Sequence, residues 1–154
     1  MSGLSGRSDS FGNLPVLVDS VTSLMPSKDA ELVWHRTWSY AKDYKSDLYP
    51  YYGSNQQQMD DSISAVVAKL PFPKIPSGAG VRNAREAFGD SVYRDGYHLA
   101  LPLGRYIAAC VWAEFITGKP VTDCSYVPEG MTPRQASIAR EAAHRAIMEN
   151  TFKH

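Results

Sequence analysis

Apolar side chains recur three and four residues apart in five stretches of the chain, and this spacing predicts five helices. The first begins after Asn13, which can cap it, and Pro26 follows its last turn. The others cover residues 56–70, residues 81–88, a segment from Leu103 to the stop signal at Gly118, and a segment after Thr132. The pattern therefore predicts a chain in which helices predominate.

Two stretches favour extended structure instead. Residues 31–38 are rich in β-branched and aromatic side chains and are short enough to form a strand. Prolines exclude a helix at residues 72–75, so this stretch is predicted to be a short extended piece. A helix that leads directly into a strand is half of an α/β unit, but one clear strand needs backbone partners that the pattern does not identify. Residues 39–54, which are polar and rich in tyrosine, are predicted to form a long surface loop.

The last predicted helix has the clearest local signals. Thr132 and Gln135 have the spacing of a capping box, and Pro133 suits the first turn. Glu141 and Arg145 are spaced as a favourable ion pair. Its predicted buried face consists mostly of small side chains, namely Ile138, Ala139, Ala142, Ala143, Ala146 and Ile147. This face predicts close packing against a neighbouring element.

Composition narrows the class of protein without indicating its chemistry. The chain has 154 residues, of which 44% are hydrophobic and 21% charged, as in an ordinary globular domain. Sixteen basic residues balance sixteen acidic ones, which argues against a nucleic-acid partner. No apolar run approaches the roughly 18 residues of a membrane span, and no signal peptide is visible. Cys110 and Cys124 are interpreted as structural thiols, although a disulfide stays open.

The strongest chemical signal is an aspartate three residues before a histidine, Asp95 and His98, in a loop that leads into a helix. This spacing lets the carboxylate accept a hydrogen bond from Nδ1–H of the imidazole, which leaves Nε2 facing outward as a general base. The alternative is an ordinary surface aspartate beside a histidine that packs at a helix start. The spacing alone does not decide between the two.

Three segments carry a family resemblance: ELVWHRTWSYA, IPSGAGVRNARE and DGYHLALPLGRYIAACVWAEFITGKPV. The last resembles the C-terminal block of the SGNH (GDSL-like) hydrolase superfamily. Within that superfamily the closest resemblance is to a bacterial group known only as the DUF4886 domain, in which an Asp-x-x-His pair precedes Gly-Arg-Tyr and an apolar helix. The three segments follow the family's order, and the resemblance spans roughly residues 1–122.

The resemblance implies an α/β fold, specifically a three-layer α/β/α sandwich around a doubly wound parallel sheet. It implies ester hydrolysis by a Ser-His-Asp triad on carbohydrate or small acyl esters, without metal or organic cofactor. His98 would be the general base and Asp95 the residue that orients it. In this superfamily the nucleophilic serine and most oxyanion-hole donors precede the segment that opens this chain. Residues 1–154 are thus expected to be one truncated domain that lacks its N-terminal strands, with residues 123–154 as a C-terminal helical extension.

Other readings stay open beside the esterase. Ser8 or Ser10 could be the nucleophile, but neither has a buried strand before it to hold it. The chain as given is expected to be inactive, and a non-catalytic binding or interaction module on the same scaffold is the alternative function. Such a module would dock, or associate with a second copy, through an exposed sheet edge. A misplaced start codon is a third explanation. Relatives of this kind are often exported, but the segment that would carry the signal is expected to precede this chain, so the compartment stays open.

Three further residues are candidates for substrate binding. His35 and Trp38 fall at the end of the predicted strand, where α/β folds bind ligands, and Tyr40 opens the tyrosine-rich loop, whose rings could stack on sugars. The alternative is that Trp38 packs in the core and that the tyrosines of the loop pack on themselves. His144 has no second ligand one helical turn away, so no metal site is expected there.

Overall fold

The computed structural model describes residues 14–35, 73–95 and 98–150. Its helices are α1 (Leu14–Leu24), α2 (Ser77–Phe88), α3 (Leu103–Thr117) and α4 (Pro133–Met148), its strands are β1 (Trp34–His35) and β2 (Lys74–Ile75), and short 3₁₀ helices lie at Gly89–Val92 and Val121–Asp123. This part of the chain is mostly helical with two parallel strands, which gives it α/β character. Within the same ranges no helix has the length and apolar character needed to cross a bilayer.

The two strands pair with each other in parallel, with Trp34 opposite Lys74 and His35 opposite Ile75. The Trp34 N–H donates to the Pro73 carbonyl at 2.8 Å, so a proline that cannot donate still contributes its acceptor. Both predicted extended segments are therefore confirmed where they are described. The pattern identified no partner for the strand predicted at residues 31–38. Its partner is β2, the short extended stretch between prolines.

The opposite edge of β2 is occupied by a side chain. Successive carbonyls of a strand point to opposite sides, so the Lys74 carbonyl points away from β1 when the Pro73 carbonyl points toward it. The Asn150 side-chain amide donates to the Lys74 carbonyl at 3.0 Å, and Asn150 and Lys74 are both buried. Asn150, two residues beyond the end of α4, thus occupies a carbonyl on the edge of β2 that lies away from β1.

Helix α2 begins one turn earlier than the predicted start at Val81. Gly78 and Gly80 lower helix propensity, which is why the pattern did not extend through them. Gly80 is required by packing, because a Cβ atom there would lie 2.7 Å from Cγ2 of Val111 on α3. Close contact between α2 and α3 therefore outweighs the unfavourable propensity of this residue.

The core lies where α2, α3 and α4 pack against one another. Its fully or nearly fully buried residues include Ile75, Val81, Val92, Ile107, Val111, Ala139 and Ala143. The four alanines predicted to be buried on α4 are buried, and Ala136, which was not predicted, is buried with them. The predicted burial of Ile138 and Ile147 is wrong, because both are only partly buried. Helix α3 begins and ends where predicted, with Gly118 in the left-handed conformation at its C-cap.

The predicted capping box of α4 is confirmed, but the predicted ion pair is wrong. The Gln135 N–H donates to Thr132 Oγ1 at 3.2 Å, and the Thr132 N–H donates to the Gln135 side chain at 2.8 Å. Arg145 forms its ion pair with Glu86 of α2, at 2.8 Å, rather than with Glu141. Because α2 lies alongside α4, it offers Arg145 a carboxylate from outside its own helix.

Helix α1 has the predicted bounds, but its apolar face is not buried within the described part of the chain. Val21 is 42% exposed and Leu24 is 82% exposed, whereas Leu17 and Val18 are partly buried. The predicted loop at 39–54 and the predicted helix at 56–70 lie outside the described residues. The proposed division into a domain with a helical extension at 123–154 stays a prediction.

Candidate functional site

The Asp-x-x-His segment lies in a short loop between the 3₁₀ helix Gly89–Val92 and α3, and the backbone closes this loop on itself. Tyr93 and Leu99 form an antiparallel bridge, and the Arg94 N–H donates to the His98 carbonyl at 2.8 Å. The Ala100 N–H donates to the Val92 carbonyl at the same distance. These bonds fix the two ends of the loop opposite each other.

Asp95 and His98 are in direct contact, as the sequence predicts. Asp95 Oδ1 accepts the His98 backbone N–H at 2.8 Å, and Asp95 Oδ2 lies 2.9 Å from His98 Nδ1. Because an ionised carboxylate can only accept, this geometry assigns the ring proton to Nδ1. The Asp95 side chain is 43% exposed and that of His98 is 55% exposed, so the imidazole is held on one side and accessible from solvent.

A cation also reaches the same carboxylate. Asp95 Oδ2 lies 3.1 Å from Nη2 and 3.3 Å from Nε of Arg94, the preceding residue. On the neighbouring surface Arg85 is ion-paired with Asp90 and stacks over the Tyr93 ring, 5.5 Å from its centroid. The Asp95–His98 pair is therefore part of a charged, solvent-facing surface.

His35 is at the end of β1, as predicted, but it contacts a different part of the molecule. Its ring packs edge-on against Trp112 of α3, with centroids 5.3 Å apart, and partial burial lowers the pKa of His35 below its usual value. Trp112 lies about 13 Å further along α3 than Leu103, the residue that follows the Asp95–His98 loop. The other two predicted binding residues, Trp38 and Tyr40, lie outside the described residues, as do Ser8 and Ser10.

Comparison with known proteins identifies the family of this chain. The family described as "Domain of unknown function (DUF4886)" matches residues 1–146, which is most of the sequence. The chain belongs to the DUF4886 family. The predicted resemblance to the DUF4886 family is confirmed. The resemblance to the wider SGNH superfamily stays a prediction.

The DUF4886 chain is also similar to a solved structure, the crystal structure of a DUF4886 family protein from Bacteroides uniformis ATCC 8492. The two share 39% sequence identity with a TM-score of 0.85, and the match covers 96% of this chain. It covers 60% of the Bacteroides protein, so this chain spans about three fifths of that relative's length. No match was found among curated proteins.

The DUF4886 chain contains a second carboxylate–histidine pair that the sequence did not reveal. Glu114 of α3 is buried; its Oε1 lies 2.7 Å from His144 Nδ1 on α4, and its Oε2 accepts the Val121 N–H at 2.9 Å. The two residues are 30 positions apart, so no spacing rule connects them. A glutamate within an otherwise apolar helix pattern was the signal that could have drawn attention to this site.

The remaining polar groups of the DUF4886 chain tie the segment after α3 to the core. Tyr106 donates to the Tyr126 carbonyl at 2.9 Å, and Arg140 donates to both the Tyr106 hydroxyl and that carbonyl.

Burial raises the pKa of Tyr106, and it raises the pKa of the Cys110 thiol to about 11. Cys124 is exposed, and both cysteines are free thiols. In residues 14–35, 73–95 and 98–150, no three His, Cys, Asp or Glu side chains are grouped so that they could hold a metal ion.

Proposed function

We propose that the Asp95–His98 pair is the base and its orienting carboxylate in a serine-esterase-type hydrolase. The observation that carries this proposal is the 2.9 Å contact between Asp95 Oδ2 and His98 Nδ1 in a histidine that remains half exposed. The substrates would be carbohydrate or small acyl esters, as in the SGNH hydrolases that the sequence resembles.

The chemistry follows from how the imidazole is held. With its proton on Nδ1 directed to Asp95, neutral His98 accepts the proton of a serine hydroxyl at Nε2 as that hydroxyl attacks the ester carbonyl. The imidazolium then donates this proton to the leaving alcohol, and the Asp95 carboxylate stabilises its positive charge in between. The serine nucleophile and the oxyanion-hole donors are not assigned to residues of this chain.

Two structural features support the wider SGNH-type fold in this proposal. β1 and β2 are parallel, and α2 follows β2 directly, as in sheets built from alternating strands and helices. The Asp95–His98 loop directly precedes α3, which keeps the pair near a helix start. A three-layer α/β/α sandwich would extend this parallel pair into a larger sheet.

The experiment that tests the proposal is hydrolysis of p-nitrophenyl acetate by the natural protein that contains this chain. We expect His98→Ala to lower kcat/KM by at least about 10³-fold, because the serine then lacks its base. His144→Gln is the matched control, since it also replaces a histidine held by a carboxylate but keeps a donor for the buried Glu114, and it is expected to keep activity. Circular dichroism confirms that both variants are folded.

The outcomes separate the two functions that the sequence left open. Full activity in His98→Ala would contradict the assignment of His98 as the base. A folded natural protein that hydrolyses no ester in a panel of acetylated sugars and p-nitrophenyl esters would instead favour the non-catalytic binding module.

A further inference from the structure

We infer that Arg94 is a positioning residue of the Asp95–His98 pair, an inference that rests on the proposed function of that pair. Its guanidinium holds the Asp95 carboxylate in the orientation in which one oxygen faces the imidazole of His98. Arg94 would act on the reaction only through Asp95 and His98.

The backbone places Arg94 where this role requires it. The Arg94 N–H bonded to the His98 carbonyl, and the Tyr93–Leu99 bridge next to it, close the loop directly beneath the pair. Arg94 and His98 are therefore the two ends of one closed loop, with Asp95 next to Arg94 inside it. Because Arg94 and Asp95 are adjacent in sequence, the guanidinium is within reach of the carboxylate.

The two oxygens of the Asp95 carboxylate have different partners. Oδ1 accepts the His98 backbone N–H at 2.8 Å. Oδ2 faces His98 Nδ1 and also receives two nitrogens of the Arg94 guanidinium, at 3.1 and 3.3 Å. The guanidinium thus resists rotation of the same oxygen that orients the imidazole.

The geometry of arginine matters more than its charge in this position. A planar guanidinium presents Nε and Nη2 as a rigid fork, whereas a lysine ammonium offers a point charge on a flexible stem. Both side chains are substantially exposed, so water and salt screen much of the attraction between them. We therefore expect Arg94 to have a modest effect on the orientation of the Asp95 carboxylate.

The test that does not depend on activity measures the tautomer of His98 by ¹⁵N NMR of its ring nitrogens, at pH 8.5, on the chain itself. We expect Arg94→Ala to lower the fraction of the Nδ1–H tautomer, because the carboxylate rotates away from the ring. Arg94→Lys should give an intermediate fraction. Arg134→Ala removes one exposed positive charge from α4 and should leave the fraction unchanged.

The opposite result has a distinct meaning. If Arg94 merely competed with His98 for Oδ2, its removal would strengthen the Asp95–His98 contact and raise the Nδ1–H fraction. A raised or unchanged fraction in Arg94→Ala would overturn the inference.

The kinetic test uses ester hydrolysis by the natural protein. Arg94→Ala should lower kcat about two- to fivefold with KM unchanged, and Arg94→Lys should recover part of the loss. A KM effect with unchanged kcat would contradict a positioning role. If the parent protein hydrolyses no ester, the proposed function fails, while the tautomer measurement still decides whether Arg94 positions the pair.

Discussion

Two carboxylate–histidine pairs in this chain differ in what surrounds the carboxylate. Asp95 is substantially exposed and shares its Oδ2 with Arg94 and His98, so its surroundings are polar and accessible. Glu114 is buried, and the contacts of both its oxygens are within the protein. The first arrangement leaves the imidazole accessible to solvent, whereas the second joins α3, α4 and the segment between them.

Removing the buried carboxylate should therefore destabilise the fold. We expect Glu114→Ala to lower the free energy of unfolding by about 2–4 kcal/mol, because the buried Val121 N–H and the His144 ring lose their acceptor. Glu114→Gln keeps an acceptor and should cost less. Urea denaturation measures both, with the exposed Glu141→Ala as a control expected to change stability by about 0.5 kcal/mol or less. Equal costs for Glu114→Ala and Glu141→Ala would contradict this account.

The two thiols should differ sharply in reactivity. With a pKa of about 11, Cys110 has a thiolate fraction of only about 10⁻³ at pH 8, and its side chain is buried. Cys124 is exposed, so we expect iodoacetamide at pH 8 to modify it at least about tenfold faster than Cys110 in the folded chain. Peptide mass spectrometry distinguishes the sites, and unfolding in urea should abolish the difference. Comparable rates in the folded chain would be inconsistent with a buried, protonated Cys110.

Among the elements, helices were predictable where local signals and packing agree. The capping box at Thr132 and the stop signal at Gly118 each depend only on residues close by in the sequence. For this reason α4 begins, and α3 ends, where the sequence predicts. The start of α2 was not predictable, because Gly78 and Gly80 have low helix propensity and the reason for Gly80 is a side chain on another helix. The Glu86–Arg145 ion pair was missed for the same reason, since it joins two helices.

Replacing Gly80 should show how closely α2 and α3 approach. Overpacking against Val111 is expected to cost about 1–3 kcal/mol in Gly80→Ala, which exceeds the roughly 1 kcal/mol that alanine gains over glycine within a helix. In a Val111→Ala background the same substitution has room and should be neutral or stabilising. Thermal or urea unfolding of the single and double variants checks this. A stabilising Gly80→Ala in the parent would show that the helices can separate freely.

At the scale of the whole molecule, the sequence predicted the Asp95–His98 contact, but it did not predict how the surrounding strands and helices pack. Asp95 and His98 are close because they are three residues apart in a tight loop, so their contact required no knowledge of the fold. His35 and Trp112 come together only through the packing of β1 near α3, which no local pattern encodes. Likewise β2 was difficult to recognise because its two residues lie between prolines, and only its pairing with β1 makes it a strand.

The contact between Asn150 and the Lys74 carbonyl affects where a further strand could pair with this sheet. A strand added to this sheet must find unpaired carbonyls and amides, and on the outer side of β2 a buried amide already occupies the Lys74 carbonyl. A further strand on this side of β2 would have to displace the Asn150 amide from that carbonyl. Asn150 lies outside residues 1–146, so this edge contact comes from the part of the chain that follows the family match.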